Sequence, residues 1–575
     1  MSSFFSIPSA LKKRKRTETA EPPKKRFASS KPTREPKPSR RPERDESISG
    51  SEDESDVGDG LQFEDEEANL TSGSEDEGGE GETAAERRLR LAEQYLENIR
   101  EEVDEVVGFD AEEIDRDLIA ERLKEDAAES KGRMYRKLAH ELSFESGSHS
   151  IFRNNSNAVT SVATCPPFAY TVTKDLYLTK WRLQDLPKDQ FPQKKKKASP
   201  PPRRKPTQLV CVRGDKTKAK DNLYQGHVDS ILTVAASQDG KFVVTGGRDR
   251  RIVVWDAETL KPLRVFSQHR DAVTGLVFRR GTNQLYSSSN DRTIKIWSLD
   301  ELAYVETLFG HQDQVVDIAA LAQERCVSVG ARDRTARLWK VVEETQLVFR
   351  GGGGEKKSKH GIGPRVLEGS MDRIAMIDEE MFVTGSDNGS LSLWTMHKKK
   401  PIFTLHLTHG VDPPLKPEEA SAETHPDPSI VPAPQPRWVT ALTTIPYSDV
   451  ILSGSWDGHV RAWRVSDDKK KIEAVGIVGS STAVAAPLVN GHVNGINASS
   501  EEAQAVVKGI INDISVFERG DRGNDGLCIV VAVGKEHRLG RWKKVPGKNG
   551  ASIFEIPKVE KAKINGPDDD KVDES

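Results

Sequence analysis

The chain has 575 residues, with 86 Lys+Arg against 90 Asp+Glu, 31% charged and 35% apolar. Such a polar composition excludes one packed body over the whole length, because too little apolar surface exists to offset the ordering of every residue. The formal charge of −4 is an average over blocks of opposite sign.

Residues 1–44 hold 14 basic and 4 acidic side chains, and residues 45–82 hold 16 acidic and no basic ones. Blocks of like charge repel internally and stay solvated, so residues 1–83 read as a disordered tail, basic and then acidic. Lys12, Lys13, Arg14, Lys15 and Arg16, then Lys24, Lys25 and Arg26, are candidate nuclear-import signals; a plain basic tail is the alternative. The acidic runs after Ser51 and Ser74 would gain charge on phosphorylation. No apolar run approaches the ~18 residues of a membrane span, and the first residues carry no signal-peptide cleavage pattern. Cys165, Cys211, Cys326 and Cys528 form no CxxC pair, which argues against a zinc site and a disulfide framework. An intracellular soluble protein without metal or cofactor is expected.

From Ala84 the pattern turns helical. Leu89, Ala92, Leu96, Ile99, Val103 and Val106 recur three and four apart, one stripe of a helix that Gly108 ends. Asp110 and Glu113 then stand as N-cap and N3 of a second helix carrying Ile114, Leu118 and Leu123. Met134, Leu138 and Leu142 continue a third short stretch, so residues 84–143 are expected to be helical. Residues 101–129 hold 13 acidic and 3 basic side chains; these helices are expected to dock on a basic partner or on the main domain, or else to act as a solvated spacer.

Beyond residue 150 the sequence repeats. Asp175/Trp181, Asp249/Trp255, Asp291/Trp297, Asp333/Trp339, Asn388/Trp394, Asp457/Trp463 and Glu536/Trp542 each place an acid or amide six residues before a tryptophan. Trp255, Trp297 and Trp339 are 42 apart. The residues inside each pair alternate, and β-rich segments such as Phe242–Gly247 and Ile231–Ala235 precede them, which gives four antiparallel strands per unit.

This pattern resembles the WD-repeat β-propeller, with Gly226-His227, Gln268-His269 and Gly310-His311 standing at the family's Gly-His pair. The resemblance implies an all-β, seven-bladed propeller over 144–560, and a hydrogen-bonded tetrad of His227, Thr245, Asp249 and Trp255, with a second of His269, Ser287, Asp291 and Trp297. These are structural groups, since a buried carboxylate must be hydrogen-bonded. The next repeat departs, with Val329 at the hydroxyl position, and the last places Glu536 at its turn and Ala532 at the hydroxyl. Seven blades of ~40 residues need only about 290, so insertions are expected at 185–206, 351–370, 409–437 and 479–508, and a disordered tail at 561–575. The first insertion holds Lys194–Lys197, a phosphate-binding or merely solvated run.

Enzyme signatures are missing: no GxxxxGK[ST], GxSxG, HExxH or GxGxxG opening a helix is found. The Asp turns instead carry arginines. Arg248, Arg250, Arg251, Arg270, Arg292, Arg332 and Arg334 should project from one face, with Lys356 and Lys357 in the next sector and Trp456 with His459 further round. Phosphate contacts and base stacking require such an arc; an ordinary solvated rim is the alternative.

Narrower motifs lie at Phe109-Asp-Ala-Glu-Glu-Ile-Asp-Arg-Asp-Leu-Ile-Ala-Glu-Arg-Leu, Gly132-Arg-Met-Tyr-Arg-Lys-Leu-Ala and Gly509-Ile-Ile-Asn-Asp-Ile-Ser-Val-Phe. With the basic-then-acidic start, they resemble the WD-repeat proteins of the U3 small nucleolar ribonucleoprotein. That resemblance implies a nucleolar, non-catalytic subunit with no small-molecule substrate. It would bind the box B/C region of U3 snoRNA beside a small RNA-binding protein and the box C/D core, within the small-subunit processome that matures 18S rRNA. The alternative is a nuclear adaptor that binds a peptide or chromatin partner.

Overall fold

The computed structural model describes residues 135–153, 157–186, 205–221, 223–351, 368–415, 417–420, 431–432, 434–479, 505–520 and 523–559, with residue 123. The import clusters, Lys194–Lys197, Lys356, Lys357, the helical stripe before residue 135 apart from Leu123, and 561–575 lie outside them.

Seven four-stranded antiparallel sheets make up the domain. Blades one to six run over 159–213, 231–266, 273–309, 315–350, 371–405 and 441–477. The seventh combines Ile510–Arg519, Gly526–Gly534 and Gly550–Ile556 with the early strand Ser148–Phe152. First strands of successive blades touch in cyclic order, blade seven meeting blade one, so the sheets close into a propeller. Strands from both ends of the domain close the ring: Ser148–Phe152 pairs antiparallel with Gly550–Ile556 as the outermost strand of blade seven. Closure therefore ties the start of the domain to its end.

Sheet faces are covered by the neighbouring blades, which explains why second and third strands are rich in Val, Ile and Leu. Trp297, Trp394 and Trp463 of the third strands are among the largest side chains fully out of solvent. Outer strands have one edge free and stay polar or half-exposed, as in Thr207–Arg213 and Ala303–Phe309.

First strands carry a bulge near the same place in six blades, for example between Val159 and Ser161, Val273 and Gly275, and Ile511 and Asp513. In three of these blades the side chain freed there bonds to the next blade. Thr160 donates to Ile231 O at 2.8 Å, Thr274 to Val315 O at 2.6 Å and Asn512 to Val159 O at 2.7 Å. Blade six lacks the bulge, yet Thr440 donates to Ile511 O at 2.6 Å. These bonds satisfy backbone carbonyls that the bulge leaves without a ladder partner.

Two expectations are corrected here. Leu138 and Leu142 do not sit on a helix; residues 135–147 form turns and isolated bridges, Arg136 with Ser448 and Leu142 with Lys558. Leu138, Ala139, Leu142 and Phe144 are buried against blades six and seven, and the Asp449 carboxylate accepts from Leu138 N at 2.8 Å and Ala139 N at 3.1 Å. Burial of apolar side chains and capture of backbone N–H groups outweigh helical periodicity in so short a stretch. The second correction concerns Glu536/Trp542. The third strand of blade seven is Gly550–Ile556, so residues 535–549 form a long loop, and Trp542 is 55% exposed rather than packed in a blade.

Candidate nucleic-acid interface

In an antiparallel blade, the turn joining strands two and three and the connection to the next blade emerge at the same end. The described arginines of both, Arg270 in a connection and Arg248, Arg250, Arg251, Arg292, Arg332 and Arg334 in turns, therefore lie on one face of the ring. The turns are organised by their acids. Asp249 accepts from His227 Nδ1 at 3.0 Å, Val228 N at 2.9 Å and Arg251 N at 3.1 Å, while His227 Nε2 and Trp255 Nε1 meet Thr245 Oγ1 at 2.7 and 2.8 Å. His269, Ser287, Asp291 and Trp297 repeat this arrangement, with 2.9 Å from His269 Nδ1 to Asp291 and 2.8 Å from Ser287 Oγ to each ring nitrogen. Burial holds His269 below its ordinary value against the pull of Asp291. Asp291, which burial would raise, is driven far down by His269, Thr293 and the Arg270 N–H. The pair is thus a neutral ring on a carboxylate, a structural device with no nucleophile.

The fourth blade also has a complete tetrad, which spacing along the chain concealed. His311 Nε2 and Trp339 Nε1 both meet Ser328 Oγ at 2.8 Å. Ser328, not Val329, pairs across the hairpin with Arg337, because this turn has one residue more than its counterparts. A further tetrad joins His409, Ser453, Asp457 and Trp463, with 2.9 Å from His409 to both Ser453 Oγ and Asp457. His409 was expected inside an insertion; the extra chain instead begins after it.

Pinning the acid forces the next residue into the left-handed region. It is Leu176, Arg250, Arg292, Arg334, Gly389 and Gly458 in blades one to six, with φ of 69°, 66°, 68°, 51°, 70° and 77°. A side chain there costs energy that glycine avoids. Blades five and six use glycine, whereas blades two, three and four carry arginine.

Arg248, Arg250, Arg270, Arg292, Arg332 and Arg334 are all exposed. Arg334 Nη1 donates to Glu368 O at 3.1 Å. Arg251 differs, being half-buried and donating to Tyr224 O at 3.1 Å and Gly226 O at 3.3 Å, so it rivets the loop. Among the described residues Arg248, Arg250, Arg270, Arg292 and Arg332 form no ion pair. On blade three, between the connections that enter and leave it, Arg270, Arg292, Lys295 and Phe309 line a cavity of 430 Å³. Phe309 is 70% exposed, and burial lowers the Lys295 ammonium despite nearby Asp291.

Trp456 lies further round. Its indole N–H donates to Asp412 Oδ1 at 2.8 Å, and its ring centroid is 5.9 Å from that of Trp438. Trp438 in turn lies 5.8 Å from Trp542. Trp438 was missed in the sequence, and its position in a long connection carried no periodic signal.

Four segments match the model of the WD domain, G-beta repeat, at residues 220–256, 260–298, 303–340 and 432–464. Ribosomal RNA-processing protein 9 of Saccharomyces cerevisiae is 37% identical, over 84% of this chain and 90% of that protein. U3 small nucleolar RNA-interacting protein 2 of Homo sapiens is 36% identical, over 83% of each. The crystal structure of RRP9 WD40 repeats superposes with a TM-score of 0.53 at 30% identity, covering 72% of this chain and all of that one. The chain belongs to the U3 small nucleolar ribonucleoprotein WD-repeat family.

Proposed function

We propose that this chain is a non-catalytic subunit of the U3 small nucleolar ribonucleoprotein that contacts U3 snoRNA through the arginine arc of blades two to four. The observation that carries the reading is the placement of arginine at three consecutive left-handed turn positions. Local strain kept at an exposed site points to function. The human relative is named for interaction with U3 small nucleolar RNA and the yeast relative for ribosomal RNA processing. The arc neutralises phosphates, and the cavity beside Phe309 suits one unstacked nucleotide. In this reading the protein works in the nucleolus, recognises the box B/C region beside a small RNA-binding protein and the box C/D core, and serves the small-subunit processome in 18S rRNA maturation. The clusters at Lys12–Arg16 and Lys24–Arg26 direct import.

Crosslinking of the tagged full chain, with sequencing of bound RNA and mapping of the modified peptides, tests this. U3 snoRNA should be enriched, with crosslinks on peptides containing Arg248–Arg251, Arg270, Arg292 or Arg332–Arg334. Reversing charge at Arg250, Arg292 and Arg334 together should release the RNA while the ring stays folded. Crosslinks confined to residues 1–83, or RNA retention by the reversed variant, would overturn the reading and leave a peptide-binding adaptor.

A further inference from the structure

Of nine tryptophans in the chain, six fill blade cores, Trp181, Trp255, Trp297, Trp339, Trp394 and Trp463. The other three, Trp438, Trp456 and Trp542, come from three separate loops and meet on the face that carries the arginine arc. We infer that Trp542 is a stacking platform for an unpaired RNA base.

The platform is built rather than incidental. The loop bearing it is anchored on the ring axis, where Arg538 donates to Thr274 O at 2.7 Å and Val316 O at 3.1 Å, and its N–H to Asn512 Oδ1 at 2.9 Å. Lys174 Nζ holds Gly540 O at 3.0 Å. The Trp542 ring lies so close over Gly540 that a Cβ there would collide with it. His537 supports the indole from within, with centroids 4.7 Å apart. An aromatic ring held this firmly yet 55% exposed loses little freedom when a flat partner stacks on it.

Chemistry around the ring selects the partner. Lys543 already sits 4.7 Å over Trp456, so the nearest cation–π position is occupied by the protein's own lysine and a cationic peptide side chain finds no vacancy there. Arg541 and Lys544 flank Trp542, sharing the single carboxylate of Glu536 at 3.3 and 3.5 Å. That leaves positive charge for a phosphate next to a bare π-face, the pairing a single-stranded nucleotide fits. Lys174, on the turn of blade one, also pairs with Glu536 at 3.4 Å, and blade one stands between this loop and the first arginine turn, touching both blade seven and blade two. The inference rests on the reading that this face meets RNA.

The test uses the full chain and a labelled mixed-sequence single-stranded RNA, with a duplex of the same sequence as control. Trp542→Ala should weaken single-strand binding by roughly 10-fold, with an unchanged salt slope, and Trp542→Phe should restore most of it. Gly540→Ala, which displaces the ring without removing it, should weaken binding in the same way. Wild-type affinity in Trp542→Ala, alongside weakened binding by the Arg250, Arg292 and Arg334 variants, would overturn the platform and leave the arc. The opposite pattern would keep the platform and remove the arc. Loss of a protein partner from Trp542→Ala with RNA binding intact would make the site a protein-docking surface and end the inference.

Discussion

Replacing Arg250, Arg292 and Arg334 by glycine should weaken RNA binding while leaving the ring as stable as before, or more so. Each residue sits at a φ between 51° and 68°, where an L side chain costs about 1–2 kcal/mol. Glycine removes that cost and adds back about 0.4–1 kcal/mol through the greater freedom of the unfolded chain. The net per site is a gain of roughly 0–1.5 kcal/mol. At Arg334 the bond to Glu368 O offsets the gain, so that single variant should lie near zero. Alanine at the same positions loses the charge and keeps the strain, so it should bind as weakly as glycine without becoming more stable. Binding of single-stranded RNA measured between about 50 and 200 mM salt should show a slope reduced by about 0.7 for each lost phosphate contact, or about 2 for the triple variant. Chemical denaturation gives the stability. A triple glycine variant destabilised by more than about 1 kcal/mol would show that the arginines hold the turns, and an unchanged salt slope would show that they do not meet phosphate.

Ser328→Ala should cost about 1–3 kcal/mol in denaturant unfolding, because His311 and Trp339 both lose their buried partner; an unchanged midpoint would return the hydroxyl role to another residue. Burial, then the carboxylate of Asp387, pushes Asp372 up to about 7. The folded protein therefore holds this proton more tightly than the unfolded chain does, and stability is lost as pH rises from about 4 towards 7. Asp372→Asn should match the parent at pH ~4 and exceed it increasingly up to pH ~7, whereas a constant difference across that window would contradict the assignment. Buried neutral His269, His311 and His409 act in the opposite direction in both proteins, so the difference isolates Asp372. Asp449→Ala removes the acceptor for Leu138 N and Ala139 N. It should cost about 1–3 kcal/mol and raise hydrogen exchange over residues 136–142 without affecting RNA binding; unchanged protection there would mean that the apolar contacts alone hold the segment.

What a reader of the sequence could see was whatever repeats locally. Each Asp-to-Trp interval lies inside one hairpin, so blades two and three, with their histidines at constant separation, were legible down to the tetrads. The arginine turns were legible for the same reason, though not their left-handed backbone. Spacing failed wherever chain length and chain position part company. One added residue in the turn after Ser328 shifts the count but not the cross-strand register, so the hydroxyl was assigned to Val329. His409 is separated from Ser453 by a long connection, and only packing brings them to 2.9 Å.

Trp542 repeats the blade interval by coincidence, and the hydrogen-bonded ladder of Gly526–Gly534 with Gly550–Ile556 decides that it belongs to a loop. The amino-acid sequence alone determined the repeating unit, its hydrophobic alternation and the charge of one rim, because each follows from contacts a few residues apart. Tertiary structure alone decided which strand seals the ring, that residues 135–144 lie under blades six and seven, and that three tryptophans from separate loops meet. Those contacts join separate loops, separate blades or the two ends of the domain, and no periodicity along a chain encodes a meeting that depends on the ring closing.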